Sequence, residues 1–92
     1  MALQILENNG VFELEGPLNT TTSRFFIIYF EYIINTLKSV TVNIEKVNAM
    51  DASGAESLKT LLAIALRTNK KFLIIGNGSN DIYNDYKSTM VA

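Results

Sequence analysis

Apolar and polar positions alternate in two short stretches near the start of the chain, residues 3–7 and 11–15, and this pattern predicts two strands. Asn8, Asn9 and Gly10 lie between them. Asn and Gly tolerate positive φ, so the pair is expected to close as a hairpin, with Gly16 and Pro17 ending its second strand. Asn19 to Ser23 is a run of small polar residues suited to capping a helix from about 20 to 38. Phe26, Phe30, Ile33 and Leu37 recur there at i, i+4, i+7 and i+11, with Ile27 and Ile34 widening the stripe. Val40, Val42 and Ile44 alternate with Thr41, Asn43 and Glu45, a strand with one buried face. A loop through Val47 to Met50 is expected to lead into a second helix ending near Thr68. That helix carries Leu58, Leu61, Leu62 and Ala65 on one face, with Asn69 as its C-cap. Phe72 to Ile75 reads as a buried strand. Gly76-Asn77-Gly78 is a turn, and a last helix runs to about Lys87.

The predicted order is β-β-α-β-α-β-α. Helical crossovers make the last three strands parallel, and the hairpin is antiparallel. The 92 residues fit one domain spanning 1–92, with 48% hydrophobic and 18% charged residues, ordinary values for a folded globular chain. The net charge is −1 and the basic residues are scattered, which excludes a nucleic-acid interface of the usual kind. The longest apolar run, Phe25 to Ile34, is too short to span a bilayer, so no membrane insertion is expected. The N-terminus has no signal-peptide pattern, and a cytoplasmic location is the expectation.

The absence of His and Cys changes the picture most. It removes disulfides, thiolate chemistry, imidazole general bases and the common zinc sites. No catalytic residue, cofactor or metal site is expected, and the chain is read as a non-enzyme.

Asp51-Ala52-Ser53-Gly54 stands where a loop enters the second helix. Ser53 precedes Glu56 by three residues, the spacing of a capping box, so Ser53 is expected to open the helix. A strand, a short loop and Asp-x-Ser-Gly at a helix start resemble the signature of the STAS domains of anti-sigma-factor antagonists, usually Asp-Ser-Ser-Gly. The stretch from Val40 to Met50 is similar to the strand and loop before that signature. Gly16-Pro17-Leu18-Asn19 followed by Thr20 is similar to the family's Gly-x-Leu-Asp turn, and Leu73 to Gly76 suits its next strand. Ala52, Asn19, Asn43 and Glu56 depart from the usual residues.

The resemblance implies an α/β fold of STAS type. Its mixed sheet has an N-terminal antiparallel hairpin and a parallel β-α-β-α-β remainder packed against helices, and it is expected to lack the family's last strand and helix. It also implies a regulatory adaptor that binds an anti-sigma factor acting as a serine kinase. Ser53 matches the phosphorylated position, and Asn19, Thr20, Asp51, Ala52, Ser53 and Gly54 would form the partner surface. The alternative is a non-phosphorylated STAS scaffold subunit, transporter-associated or self-dimerising, in which Ser53 is only a cap.

Phe25, Tyr29 and Tyr32, at i, i+4 and i+7, lie off the core stripe of the first helix. They read either as the half-buried border of a wide core face or as a partner or homodimer surface. Gly76-Asn77-Gly78 lacks the third glycine of a dinucleotide fingerprint. Asp81 and Asp85 read as a solvated helix face.

Overall fold

A computed structural model describes the backbone of residues 2–91 and the side chains of residues 2–87. Its elements are β1 (Gln4–Asn8), β2 (Val11–Leu18), α1 (Ser23–Thr36), β3 (Ser39–Met50), α2 (Ala52–Arg67), β4 (Lys71–Ile75) and α3 (Ser79–Val91). The four strands form one sheet in the order β1-β2-β3-β4. β1 and β2 are antiparallel, while β2–β3 and β3–β4 are parallel. The hairpin turns on Asn9 (φ 54°) and Gly10 (φ 85°), the two positive angles a tight hairpin requires.

One face of the sheet is buried. Phe12, Leu14 and Leu18 on β2, Val40, Val42 and Ile44 on β3, and Phe72 and Ile74 on β4 point into a common core. Phe26, Phe30 and Ile34 of α1 and Leu58, Leu61, Ile64 and Ala65 of α2 cover them. Phe30 is central, edge-on to Phe12 at 5.4 Å and to Phe72 at 6.4 Å, and tilted on Phe26 at 5.0 Å. Each such buried ring contributes roughly 1.5–3 kcal/mol by leaving water.

Helix ends follow from local chemistry. After Thr68, Asn69 takes φ 58°; its N–H donates to Leu66 O and that of Lys70 donates to Ala65 O at 2.8 Å. This pair of bonds closes α2 in a Schellman motif. Lys70 then extends Nζ across to the carbonyls of Ile34, Asn35 and Leu37, the unsatisfied end of α1. The outer rim of β4 is also occupied, since Ile74 N–H donates to the Tyr83 hydroxyl of α3 at 2.7 Å. No helix among the described residues is long and apolar enough to cross a membrane.

Several boundaries differ from the sequence reading. α1 begins at Ser23 and not near 20, because side-chain bonds hold Asn19–Thr22 as a turn. Leu37 lies past its end in extended backbone, 42% exposed, and so leaves the core stripe. β2 continues through Gly16 and Pro17 to Leu18, and β3 continues to Met50 where a loop was expected. Pro17 is accommodated at an irregularity in the ladder, where a missing N–H is tolerated. Residues 11–18 of β2 run beside residues 41–50 of β3, so β3 carries two extra residues, one at a bulge where Ile44 and Glu45 lie opposite Leu14 and one at Asn48. At the first bulge, Asn43 Oδ1 accepts the Glu45 N–H at 2.9 Å. Gly76 abuts that point, with room for no Cβ between it and Asn43 Oδ1 and Glu45 N.

Candidate functional site

The last pair of the β2–β3 ladder, Leu18 beside Met50, fixes the place of the site. β2 runs on into Asn19 and Thr20, and β3 runs on into Asp51. Parallel pairing therefore delivers both segments to one end of the sheet. It is the carboxyl end of the strands, where open α/β sheets gather binding residues.

The first segment is held by its own side chains. Asn19 Oδ1 accepts from the N–H of Thr21 at 2.9 Å and of Thr22 at 3.2 Å. Thr22 Oγ donates to Pro17 O at 2.9 Å and accepts the Asn19 N–H at 3.0 Å. These side-chain bonds add to the backbone bonds from the Thr22 and Ser23 N–H groups to Asn19 O and fix the turn that enters α1.

The second segment corrects the expected capping box. Asp51, not Ser53, is the N-cap of α2: its backbone is extended and its Oδ1 accepts the Gly54 N–H at 2.9 Å. Ser53 is the second helical residue. Glu56 does not reach back; its carboxylate lies 3.6 Å from Lys59 Nζ. Sequence spacing favoured the serine because Asp-x-x-Gly and Ser-x-x-Glu overlap here and both begin with a good cap.

Asp51 joins the two segments. Its Oδ2 accepts from the Thr20 N–H at 3.1 Å and from the Thr20 hydroxyl at 3.2 Å, and the Thr20 and Ser53 hydroxyl oxygens lie 3.1 Å apart. The carboxyl is held below its ordinary value of 3.8. The Gly54 N–H is the largest cause, partial loss of water opposes it, and the Thr20 N–H, the Thr20 hydroxyl and the Ser53 N–H add to it. Asp51 is thus ionised at neutral pH.

Thr20, Asp51 and Ala52 are exposed, and Asn19 and Ser53 are half-buried. Gly54 is buried beneath them. A Cβ there would overlap the carbonyl oxygen of Leu18 and come within 2.8 Å of its carbon, so the glycine lets α2 start directly against the end of β2. Below it, Ser57 Oγ donates to Gly54 O at 2.6 Å. The result is a small polar platform presenting one carboxylate and two hydroxyls on a rigid base.

Phe25, Tyr29 and Tyr32 are exposed, at 77%, 42% and 68%, so they are not the half-buried border of the core. Asp85 is not merely solvated; its carboxylate accepts from Lys59 Nζ at 2.8 Å, tying α3 to α2. The sequence reading did not single out Thr22, Lys70 or Tyr83. Each acts on a main-chain group far away or outside a helix, and no spacing rule marks such contacts.

The family model described as STAS domain matches residues 1–82. Among solved structures, the fold is similar to the anti-sigma factor antagonist SpoIIAA in its unphosphorylated form, with a TM-score of 0.62 and 13% identity, covering 79% of this chain and 71% of that one. It is also similar to part of the murine Solute Carrier 26 family member A9 (Slc26a9) anion transporter in the inward-facing state. There the TM-score is 0.57 with 17% identity, covering 90% of this chain and only 14% of the transporter's. No curated protein matches the sequence.

Proposed function

The chain belongs to the STAS domain family, and from that premise we propose that it is an anti-sigma-factor-antagonist-like adaptor: it binds an anti-sigma factor that is a serine kinase, and phosphorylation of Ser53 releases it. It acts by binding, not by catalysis. The observation that carries this reading is the contact of Thr20 with both Asp51 and Ser53, which welds two segments into one accessible surface around a hydroxyl.

The switch follows from charge. A phosphate on Ser53 adds about −1.5 to −2 charges beside the Asp51 carboxylate. The start of α2 tolerates an anion through its N–H groups and macrodipole. The cap itself does not use the Ser53 hydroxyl, so modification leaves the helix start in place. A protein packed flat on the platform has no such compensation and must bury the new charge. The interface fails while the fold survives. The kinase supplies the base and the phosphoryl group, so this chain needs neither.

Incubation with the serine kinase that binds this protein is expected to add one phosphate to wild type and none to Ser53→Ala. Ser53→Asp is expected to abolish binding. Phosphate at another residue would sink the assignment.

A second reading is a scaffold subunit without phosphorylation, motivated by the likeness to part of a transporter. In that case Ser53→Asp leaves partner binding intact, and the same variant separates the two readings.

A further inference from the structure

The turn after β2 leads from the platform into a groove between α1 and β1, to whose lining Thr21 and Thr22 contribute. It has a volume of about 690 Å³, and its walls include Leu3, Ile5, Phe25, Phe26, Ile28 and Tyr29, with no charged residue among its lining. Ile28 is 58% exposed and Phe25 and Tyr32 more so. Tyr29 is not a loose side chain, because its ring stands edge-on to the buried Phe30 at 5.1 Å. Exposed apolar residues scattered singly need no explanation, but a contiguous patch with a concave centre does.

The sheet shows the same asymmetry. The outer rim of β4 is engaged by Tyr83. β1 is the opposite edge, and among the described residues no strand lies beyond it. An uncovered edge strand beside an apolar groove is a surface that proteins usually protect or use.

Charge identifies the occupant. Arg24 and Glu31 are both exposed and flank Ile28 on α1, at i−4 and i+3. Along the axis they lie about 6 Å to one side of Ile28 and about 4.5 Å to the other. Among the described residues, neither belongs to an ion pair. A basic group on one side of a centre and an acidic group on the other is the arrangement that a two-fold axis makes self-complementary. Two such helices crossing antiparallel at Ile28 place each Arg24 opposite the other copy's Glu31. The uncharged aromatic faces then meet each other.

We propose that this face is the half-site of a homodimer, in which α1 packs antiparallel on α1 of a second copy about a two-fold axis near Ile28, aromatic side chains fill the paired grooves, and Arg24 of each copy meets Glu31 of the other. The groove lining includes none of Thr20, Asp51 and Ser53, and the proposed contact is centred on Ile28. The proposal does not depend on phosphorylation.

Sedimentation of the full chain over a range of concentrations tests it. Wild type is expected to show a reversible monomer–dimer equilibrium, and Ile28→Glu to remain monomeric with an unchanged circular dichroism spectrum. Arg24→Glu makes both flanking positions acidic, and Glu31→Arg makes both basic. Each alone is expected to weaken dimerisation by about tenfold. An equimolar mixture of the two is expected to recover wild-type affinity as a heterodimer, which no single-chain folding defect can imitate. If Ile28→Glu does not fold, the charge variants at the exposed positions 24 and 31 carry the test alone. A wild-type chain that is monomeric up to millimolar concentration overturns the proposal and assigns the groove to a different protein. A dimer unaffected by these changes, or charge variants that mixing does not rescue, overturns it as well.

Discussion

Thr20 gives two hydrogen bonds, from its N–H and its hydroxyl, to the same oxygen of Asp51, a residue 31 positions further along the chain. The other oxygen of that carboxylate caps α2 through Gly54. One ionised side chain therefore fastens the turn after β2 to the helix after β3. Whatever protonates Asp51 loosens both.

Asp51 consequently predicts an acid-dependent loss of stability. Its folded pKa is depressed, so its contribution is complete above the unfolded value of 3.8 and is lost as pH falls through the folded pKa. Asp51→Asn keeps a good N-cap but has no charge to titrate. Thermal melts taken from neutral pH down into the acid range should show a smaller drop in Tm for the variant than for wild type. Equal slopes would remove Asp51 from the account of acid sensitivity.

Gly54→Ala sets two effects against each other. Alanine is favoured over glycine in a helix by about 1 kcal/mol. Here its Cβ would run into the main chain of Leu18, which cannot swing aside as a flexible side chain could. Overpacking of this kind costs about 1–3 kcal/mol or more. The expected net result is a lower Tm, measured by circular dichroism, together with weaker partner binding as α2 is pushed away from Thr20. A raised Tm would show that the close approach of α2 to β2 is wrong.

Neighbouring aromatics on α1 should behave as opposites. Phe30 is fully buried among three other phenylalanines, and Phe30→Ala is expected to cost about 3–5 kcal/mol. That is a large part of the roughly 5–15 kcal/mol that keeps a domain folded. Phe25 is 77% exposed, and Phe25→Ala should change the stability of the monomer by less than about 0.5 kcal/mol. Urea unfolding of the two variants at low protein concentration measures both.

The sequence carried the element order, the strand directions and most of the core because these depend on local periodicity. The αL residue at Asn69 and the Asn9-Gly10 turn were legible for the same reason: each is set by a residue's own backbone preference. Strand ends were not. Pro17 and the run Val47–Met50 look like breakers or loop by composition, and only the ladder between β2 and β3 makes them strand. At the site, the Asp51 to Gly54 segment was visible as a helix start, but the identity of its cap was not. Two overlapping capping patterns compete there, and the tie is decided by Thr20, whose proximity comes from the sheet and leaves no trace in spacing. The exposure of Phe25, Tyr29 and Tyr32 likewise depended on how much of α1 the sheet is wide enough to cover.

Asn48 has no partner on β2, and after it the ladder resumes with Pro17 beside Ala49 and Leu18 beside Met50. Such an extra residue serves as slack in one of two otherwise matched cords. It advances the far end of β3 by one step, about 3.3 Å, without disturbing Val40, Val42 or Ile44 beneath the helices. Removing it would draw Asp51 back by about that step, out of line with Thr20, and would pull on Met50, which packs against the core, and on α2, which begins at Ala52. The placement of the polar platform is thus set by the stretch of β3 beyond Val40, Val42 and Ile44.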